Sequence, residues 1–182
     1  MTQTPAPTGK PPATGFSIAG LTPAALSDIA LQAQQALVGG TSLASMRHVT
    51  DAELKARFDA VRVVCDKGQF KEALTSAIEL HLLQPSDGRY AFVVGTCLQH
   101  LGQHARALCC FTLAAITGPS AAARFRAGEC LLALGHDEDA ALVFQQAVAA
   151  APANTPLHAL ATAAATQASL AHKTTSPARP AH

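Results

Sequence analysis

The chain has no tryptophan and a single tyrosine, and aromatic residues fill 4% of its 182 positions. A core so poor in rings does not suit a sandwich or barrel. The apolar fraction of 49%, much of it alanine, suits closely packed helices. Charge is also scarce, at 14%, and nearly balanced, with 13 Lys and Arg against 12 Asp and Glu. The net charge of +1 gives no basic or acidic excess. Neither nucleic acid nor a charged membrane surface is therefore expected as a partner. The five cysteines, Cys65, Cys97, Cys109, Cys110 and Cys130, are odd in number and include no CxxC spacing. That argues against a disulfide framework and against a zinc site, and reads as buried reduced thiols in a cytosolic protein.

Other absences narrow the function. The opening run MTQTPAPTGKPPATG has no apolar stretch and is not a signal peptide. From Ala140 to Ala171 no residue carries a formal charge, but Gln145, Gln146, Pro152, Asn154, Pro156 and Gln167 interrupt it, so a stable membrane span is not expected. Gly39-Gly40-Thr41 lacks the lysine of a phosphate loop, and no GxSxG or HExxH occurs. His100 and His104 are four apart, but Gly102 lies between them at a turn and should keep them off a common face. No catalytic group, metal or cofactor is expected, and the chain reads as a binding protein rather than an enzyme.

What is present is a repeat. Asp66–Ala73, His100–Ala107 and Ala133–Ala140 align through Gly68, Gly102 and Gly135, which lie 34 and then 33 residues apart. Ala73, Ala107 and Ala140 follow those glycines by five residues, and Pro85, Pro119 and Pro152 close the units at the same intervals. A period near 34 marks a two-helix solenoid of the tetratricopeptide type. The glycine lets helix A turn into helix B, the alanine permits close helix contact, and the proline stops helix B. Gly95 and Gly128 recur inside helix A, and Phe111 and Phe144 inside helix B, where the first repeat has Ala77.

The organisation follows. Residues 1–20 should be a disordered tail and 21–50 an N-terminal helical arm. Three repeats occupy 51–152 (about 54–87, 88–120 and 121–153), a capping helix spans 154–171, and 172–182 form a second disordered tail. The fold class is all-α: three tetratricopeptide-like helix-turn-helix repeats in a right-handed superhelix, with the arm before them and the capping helix after. Thr22-Pro23 starts the arm helix, and Leu26, Ile29, Ala33 and Leu37 form its stripe. That stripe either packs on its own domain or serves as a dimerisation or second-partner arm. Thr50 and Glu53 form a capping box for the first repeat. Leu157, Leu160, Ala161, Ala164 and Ala168 form the stripe of the last helix.

In such stacks the A helices line the concave side. Counting each repeat from Leu54, Gly88 and Ala121, the fifth position is Phe58, Phe92 and Phe125. Positions nine and twelve share that face: Arg62 and Cys65, Thr96 and Gln99, Glu129 and Leu132. Arg89 adds a charge at the groove. Such a surface suits an extended peptide with apolar anchors. The alternative is that the phenylalanines are core, because position four holds Arg57, Ala91 and Arg124 where such repeats usually carry a large apolar residue.

Several runs resemble a known family. Gly39-Gly40-Thr41-Ser42-Leu43 and Val49-Thr50-Asp51-Ala52-Glu53-Leu54 resemble the segment leading into the first repeat of class II type III secretion chaperones, the SycD/LcrH type. Gly95-Thr96-Cys97-Leu98-Gln99 with Gly102-Gln103, and Glu129-Cys130-Leu131-Leu132, resemble runs in their second and third repeats. The resemblance covers about residues 22–152. It implies a cytoplasmic chaperone of a Gram-negative bacterium that holds hydrophobic translocator proteins in its concave groove until export. It also implies a homodimer formed through the arm, and admits a transcriptional regulator as a further partner, as in some family members. The chain departs from the family at Arg62 and Cys65, where tyrosines are usual, and in its long Pro/Thr/Ala tails. A generic repeat scaffold for charged C-terminal peptides is the competing function. It would call for Lys, Arg and Asn clustered on the concave face, where only Arg62 and Arg89 stand.

Overall fold

The computed structural model describes residues 42–118 and 120–175, with side chains as far as residue 171. The arm stripe Leu26, Ile29, Ala33 and Leu37, the two tails up to residue 41 and from 176, and Pro119 lie outside the described residues. The described residues form eight helices and no strand. A one-turn helix α1 (Leu43–Met46) precedes three helix pairs: α2 (Asp51–Asp66) with α3 (Phe70–Leu83), α4 (Gly88–His100) with α5 (His104–Thr117), and α6 (Ser120–Ala133) with α7 (Asp137–Ala150). The last helix, α8, spans Pro156–Thr175. Each helix packs chiefly on the one before and the one after, as a solenoid requires.

The local signals act as their chemistry demands. Thr50 Oγ1 accepts from the Glu53 backbone N–H at 3.3 Å, and Glu53 Oε2 accepts from the Thr50 N–H at 2.9 Å. Two orphan amides at the start of α2 are thereby satisfied. The Thr50 backbone N–H, and after it the Thr50 hydroxyl donating to Glu53 Oε2 at 3.0 Å, hold the Glu53 carboxyl below its ordinary pKa. Gly68, Gly102 and Gly135 all adopt φ between 73° and 80°. Each is followed by an amide that reaches back five residues, Gln69 to Val64, Gln103 to Leu98 and His136 to Leu131. This is the left-handed closure of a helix, and glycine takes it without strain.

The repeat alanines mark the tightest helix contacts. Ala73, Ala107 and Ala140 are all buried, as are Ala77 of α3, Ala114 of α5 and Ala147 of α7. Inside each of the second and third repeats a glycine and a phenylalanine fit together. A Cβ on Gly95 would lie 2.9 Å from the Phe111 ring, and one on Gly128 would lie 2.6 Å from the Phe144 ring. Phe111 and Phe144 are fully enclosed, so neither ring can swing away. In the first repeat the same register holds Val61 and Ala77, both buried. The larger of the two side chains here stands on helix A instead of helix B. In the second and third repeats the bulk at one position thus sets what the facing position can hold.

Three features differ from the sequence-based expectation. The one-turn α1 was not foreseen: Ser42 caps it by accepting from Ser45 N at 3.1 Å, His48 closes it at φ 55°, and Leu43 and Ala44 are buried against the repeats. The last helix continues past 171 to Thr175. Its inner ridge is Ala161, Ala165 and Ala168, whereas Leu160 is 58% exposed. Alanines face α7 because the two backbones approach too closely for leucine, which turns the larger side chain outward. None of the described helices is long and apolar enough to cross a membrane.

Gly128→Ala tests the volume rule. Overpacking costs roughly 1–3 kcal/mol, against a helix-propensity gain of about 1 kcal/mol. The expected result is a lower Tm, with the double variant Gly128→Ala/Phe144→Leu recovering more stability than additivity allows. A Gly128→Ala protein that melts above wild type would show that the ring has room.

Candidate peptide-binding groove

Contacts between successive A helices trace one face of the stack. Phe58 of α2 meets Tyr90 of α4 edge-on, with ring centroids 5.4 Å apart. Cys65 Sγ of α2 lies 3.7 Å from Cys97 Sγ of α4. Gln99 Nε2 of α4 donates to Glu129 Oε2 of α6 at 3.0 Å, and Arg126 Nη1 donates to the same oxygen at 2.9 Å. Of the residues at positions five, nine and twelve, Phe58, Cys65, Gln99 and Glu129 make these contacts; only Gln99 and Glu129 meet each other, while Phe58 and Cys65 meet Tyr90 and Cys97 at positions three and ten.

The three phenylalanines are neither wholly core nor wholly open. Phe58, Phe92 and Phe125 are each half-buried. Phe92 rests edge-on against Phe111 at 5.4 Å, and Phe125 leans on Phe144 at 5.5 Å. Those inner rings are the ones seated on Gly95 and Gly128. Phe92 and Phe125 are therefore each backed by a second ring, and that ring by a bare stretch of helix backbone. The first repeat lacks an inner ring, and Tyr90 from the next repeat supports Phe58 from the side instead. Such ring pairs add roughly 0.5–1.5 kcal/mol to simple burial and fix the angle at which the outer face is presented.

Polar groups frame the stripe. Arg89 places its guanidinium 5.8 Å above the Phe58 ring and 6.0 Å from the Tyr90 ring. Asp87 accepts from Arg89 Nε at 3.0 Å and also caps α4 by accepting from Arg89 N at 3.0 Å. These bonds hold the Asp87 carboxyl below the usual carboxylate range. Asp87, Arg89, Phe58, Tyr90 and Leu54 border a hollow of about 350 Å³ at one end of the stripe. Burial raises the Tyr90 phenol above its ordinary pKa. Thr96 spends its hydroxyl inside its own helix, donating to the Phe92 carbonyl at 3.0 Å. Arg62 is exposed, and Leu132 is exposed at 38%. Neither is held by a neighbouring repeat as Cys65, Gln99 and Glu129 are.

Tyr90, Asp87, Cys97 and Arg126 were not foreseen as site residues. Arg126 stands three residues before Glu129 on one helix, a spacing that signals an ion pair. Asp87 precedes Gly88 at the start of α4, a capping position. Tyr90 has no counterpart in the other repeats, so the repeat alignment gave no sign of it, and Cys97, matched by Cys130 in the third repeat, reads from sequence as a buried thiol rather than a site residue. Elsewhere His100 lies flat on Phe70, with centroids 3.9 Å apart and planes within 2°. No group of three potential metal ligands occurs among the described residues. A larger hollow of about 600 Å³ lies between α2 and α3, lined by Val61, Leu80 and Leu83 with Arg57 and Glu79 at its edge, away from the stripe.

Comparison with known proteins agrees with this geometry. The family model for subunit 3 of the anaphase-promoting complex, cyclosome, matches residues 66–147. A type III secretion complex from Aeromonas hydrophila superposes with a TM-score of 0.72 at 26% identity, covering 77% of this chain and 96% of that one. PcrH in complex with the chaperone-binding region of PopD gives 0.64 at 27% identity, covering 68% and 96%; PcrH has also been solved as the protein from Pseudomonas aeruginosa. The chain has the architecture of a class II type III secretion chaperone. The translocator chaperone SycD of Yersinia enterocolitica, at 22% identity, shares the fold with a TM-score of 0.62 over 71% of this chain and 97% of its own. No curated protein sequence matches the chain.

Because Phe92 is half-buried and backed by Phe111, Phe92→Ala should cost about 2 kcal/mol, below the 3–5 kcal/mol of a fully enclosed phenylalanine. Urea denaturation measures it. A loss above about 4 kcal/mol would place the residue in the core, and no loss would show that the ring pair contributes nothing.

Proposed function

We propose that this chain is a type III secretion chaperone that binds an extended apolar segment of a translocator protein in the groove and keeps it soluble and competent for export. The observation that carries the reading is the stripe Phe58, Phe92 and Phe125, presented half-open in one register by successive A helices. PcrH, at 27–28% identity, has been solved with the chaperone-binding regions of both PopD and PopB, which supports the same use here. A translocator must later enter a membrane, so its apolar segments would aggregate or insert early if left in water. Seating them on the rings removes that surface from solvent, while the frame of Arg89, Gln99 and Glu129 leaves polar groups beside the peptide backbone. The work is binding; no reaction and no nucleotide is called for. The site of action on this reading is the cytoplasm of a Gram-negative bacterium.

The protein acts as a homodimer on the same reading, with Leu26, Ile29, Ala33 and Leu37 as the contact. SycD, the more distant relative in sequence, has been solved in an alternative dimer. A wild-type dimer that Leu26→Asp/Ile29→Asp converts to monomer in multi-angle light scattering is expected. A wild-type monomer at high concentration would remove the dimer.

The function is tested by co-expression with translocators encoded in the same genome, followed by calorimetric titration of the bound segment. Phe92→Leu keeps most of the inner packing and removes the outer ring face, so binding should weaken roughly tenfold while the Tm stays within a few degrees. Unchanged affinity for that segment would take the stripe out of recognition. Failure of every translocator together with capture of a charged C-terminal peptide would favour the generic repeat scaffold.

A further inference from the structure

Two thiols meet where the first repeat joins the second. Cys65 lies near the end of α2 and Cys97 in the body of α4, with their sulfurs 3.7 Å apart. That is van der Waals contact, and within the reach of a thiol–thiol hydrogen bond. Cys97 is fully enclosed, while Cys65 is half-buried and keeps an open side. The other cysteines are less well placed. Cys109 and Cys110 are successive residues of one helix, so their side chains diverge by about 100°. Cys130 is enclosed within α6.

We propose that Cys65 and Cys97 are a reversible oxidative modification site, converted by a peroxide to an intramolecular disulfide that staples α2 to α4. The inference concerns the chain itself and does not depend on what the groove binds. The order of events follows from access. The Cys65 sulfur, as thiolate, attacks one peroxide oxygen. The O–O bond breaks, the departing oxygen takes a proton, and with hydrogen peroxide it leaves as water. Cys65 is then a sulfenic acid. The Cys97 sulfur, already in contact, attacks the Cys65 sulfur. Hydroxide departs, takes the Cys97 proton, and leaves as a second water. Two electrons have passed from the dithiol to the peroxide, and one S–S bond has replaced two S–H bonds. Burial, with Cys65 beside it, pushes the Cys97 thiol up to about 12. Cys97 therefore stays protonated at neutral pH and is not the thiol that meets the oxidant first; its proton passes to the departing hydroxide as the S–S bond forms.

The geometry asks for little movement. The sulfurs must close from 3.7 Å to the bond length of about 2.0 Å, a shift that side-chain rotation on two adjacent helices can share. The loop so closed contains the whole of α3 and the glycine turn before it. Closing it restricts the unfolded chain, so the oxidised protein should be more stable than the reduced one. It also removes the freedom of the first repeat to slide on the second.

The experiment treats the native full-length protein with hydrogen peroxide, blocks remaining thiols with iodoacetamide, and maps the peptides by mass spectrometry. The expected product is a Cys65–Cys97 linked peptide within one chain, with Tm raised by roughly 5 °C and both changes reversed by dithiothreitol. In Cys97→Ser the Cys65 sulfenic acid should persist, react with dimedone, and leave the Tm unmoved by peroxide. A wild-type map in which Cys97 is alkylated while Cys65 is over-oxidised, or in which Cys65 links only to another chain, overturns the proposal. So does a peroxide-dependent rise in Tm that survives in Cys97→Ser. The wild-type map decides the matter alone if the variant does not fold.

Discussion

Everything in this molecule depends on how closely helix A and helix B approach within a repeat. The two backbones come so near that only one of the facing positions can hold bulk. In the second and third repeats the bulk is Phe111 and Phe144, and the bare positions are Gly95 and Gly128. In the first repeat Val61 and Ala77 stand at those positions, both buried, and the two helices leave a hollow of about 600 Å³ between them. The choice has effects beyond stability. Phe92 and Phe125 stand three residues before the two glycines, so the ring that fills the bare position also becomes the support on which each groove ring rests. The presentation of the surface is thus set by the packing of the core. A change at Gly128 reaches Phe125 through Phe144 without touching it.

The first repeat solves the problem differently. With no inner ring, Phe58 takes its support from Tyr90 across the repeat boundary, and Arg89 covers both rings. Cys65 and Cys97 span the same boundary a few turns further along. The end of the aromatic stripe nearest α2 is therefore built from two repeats acting together. The other two rings are each braced within their own repeat.

Much of this was legible in the chain because helical repeats write their contacts at fixed intervals. The glycine turns, the capping box and the close-contact alanines each follow from one local rule that sequence displays. The three phenylalanines could be placed on a face, but not assigned to core or groove. Period alone gives the direction of a side chain, whereas burial depends on the residue opposite, Phe111 or Phe144, and on the glycine behind it. Tyr90 stayed hidden for a related reason: it breaks the repeat, and a reading built on recurrence overlooks what occurs once. The one-turn α1 was too short to show a period. Leu160 misled because a leucine ordinarily outranks alanine for burial, and here the narrow gap to α7 reversed the order.

Among the described residues, each helix of the stack touches chiefly its two neighbours in sequence, and the first helix pair makes no such contact with the last. A chain wired this way has no mechanical clamp. Drawn from its termini, it would yield pair by pair at low force, each pair giving way before the next is loaded, in contrast to sheet proteins whose first and last strands lie side by side. The same wiring keeps contacts local, which favours rapid folding as the chain leaves the ribosome, with each pair able to dock on the one already formed.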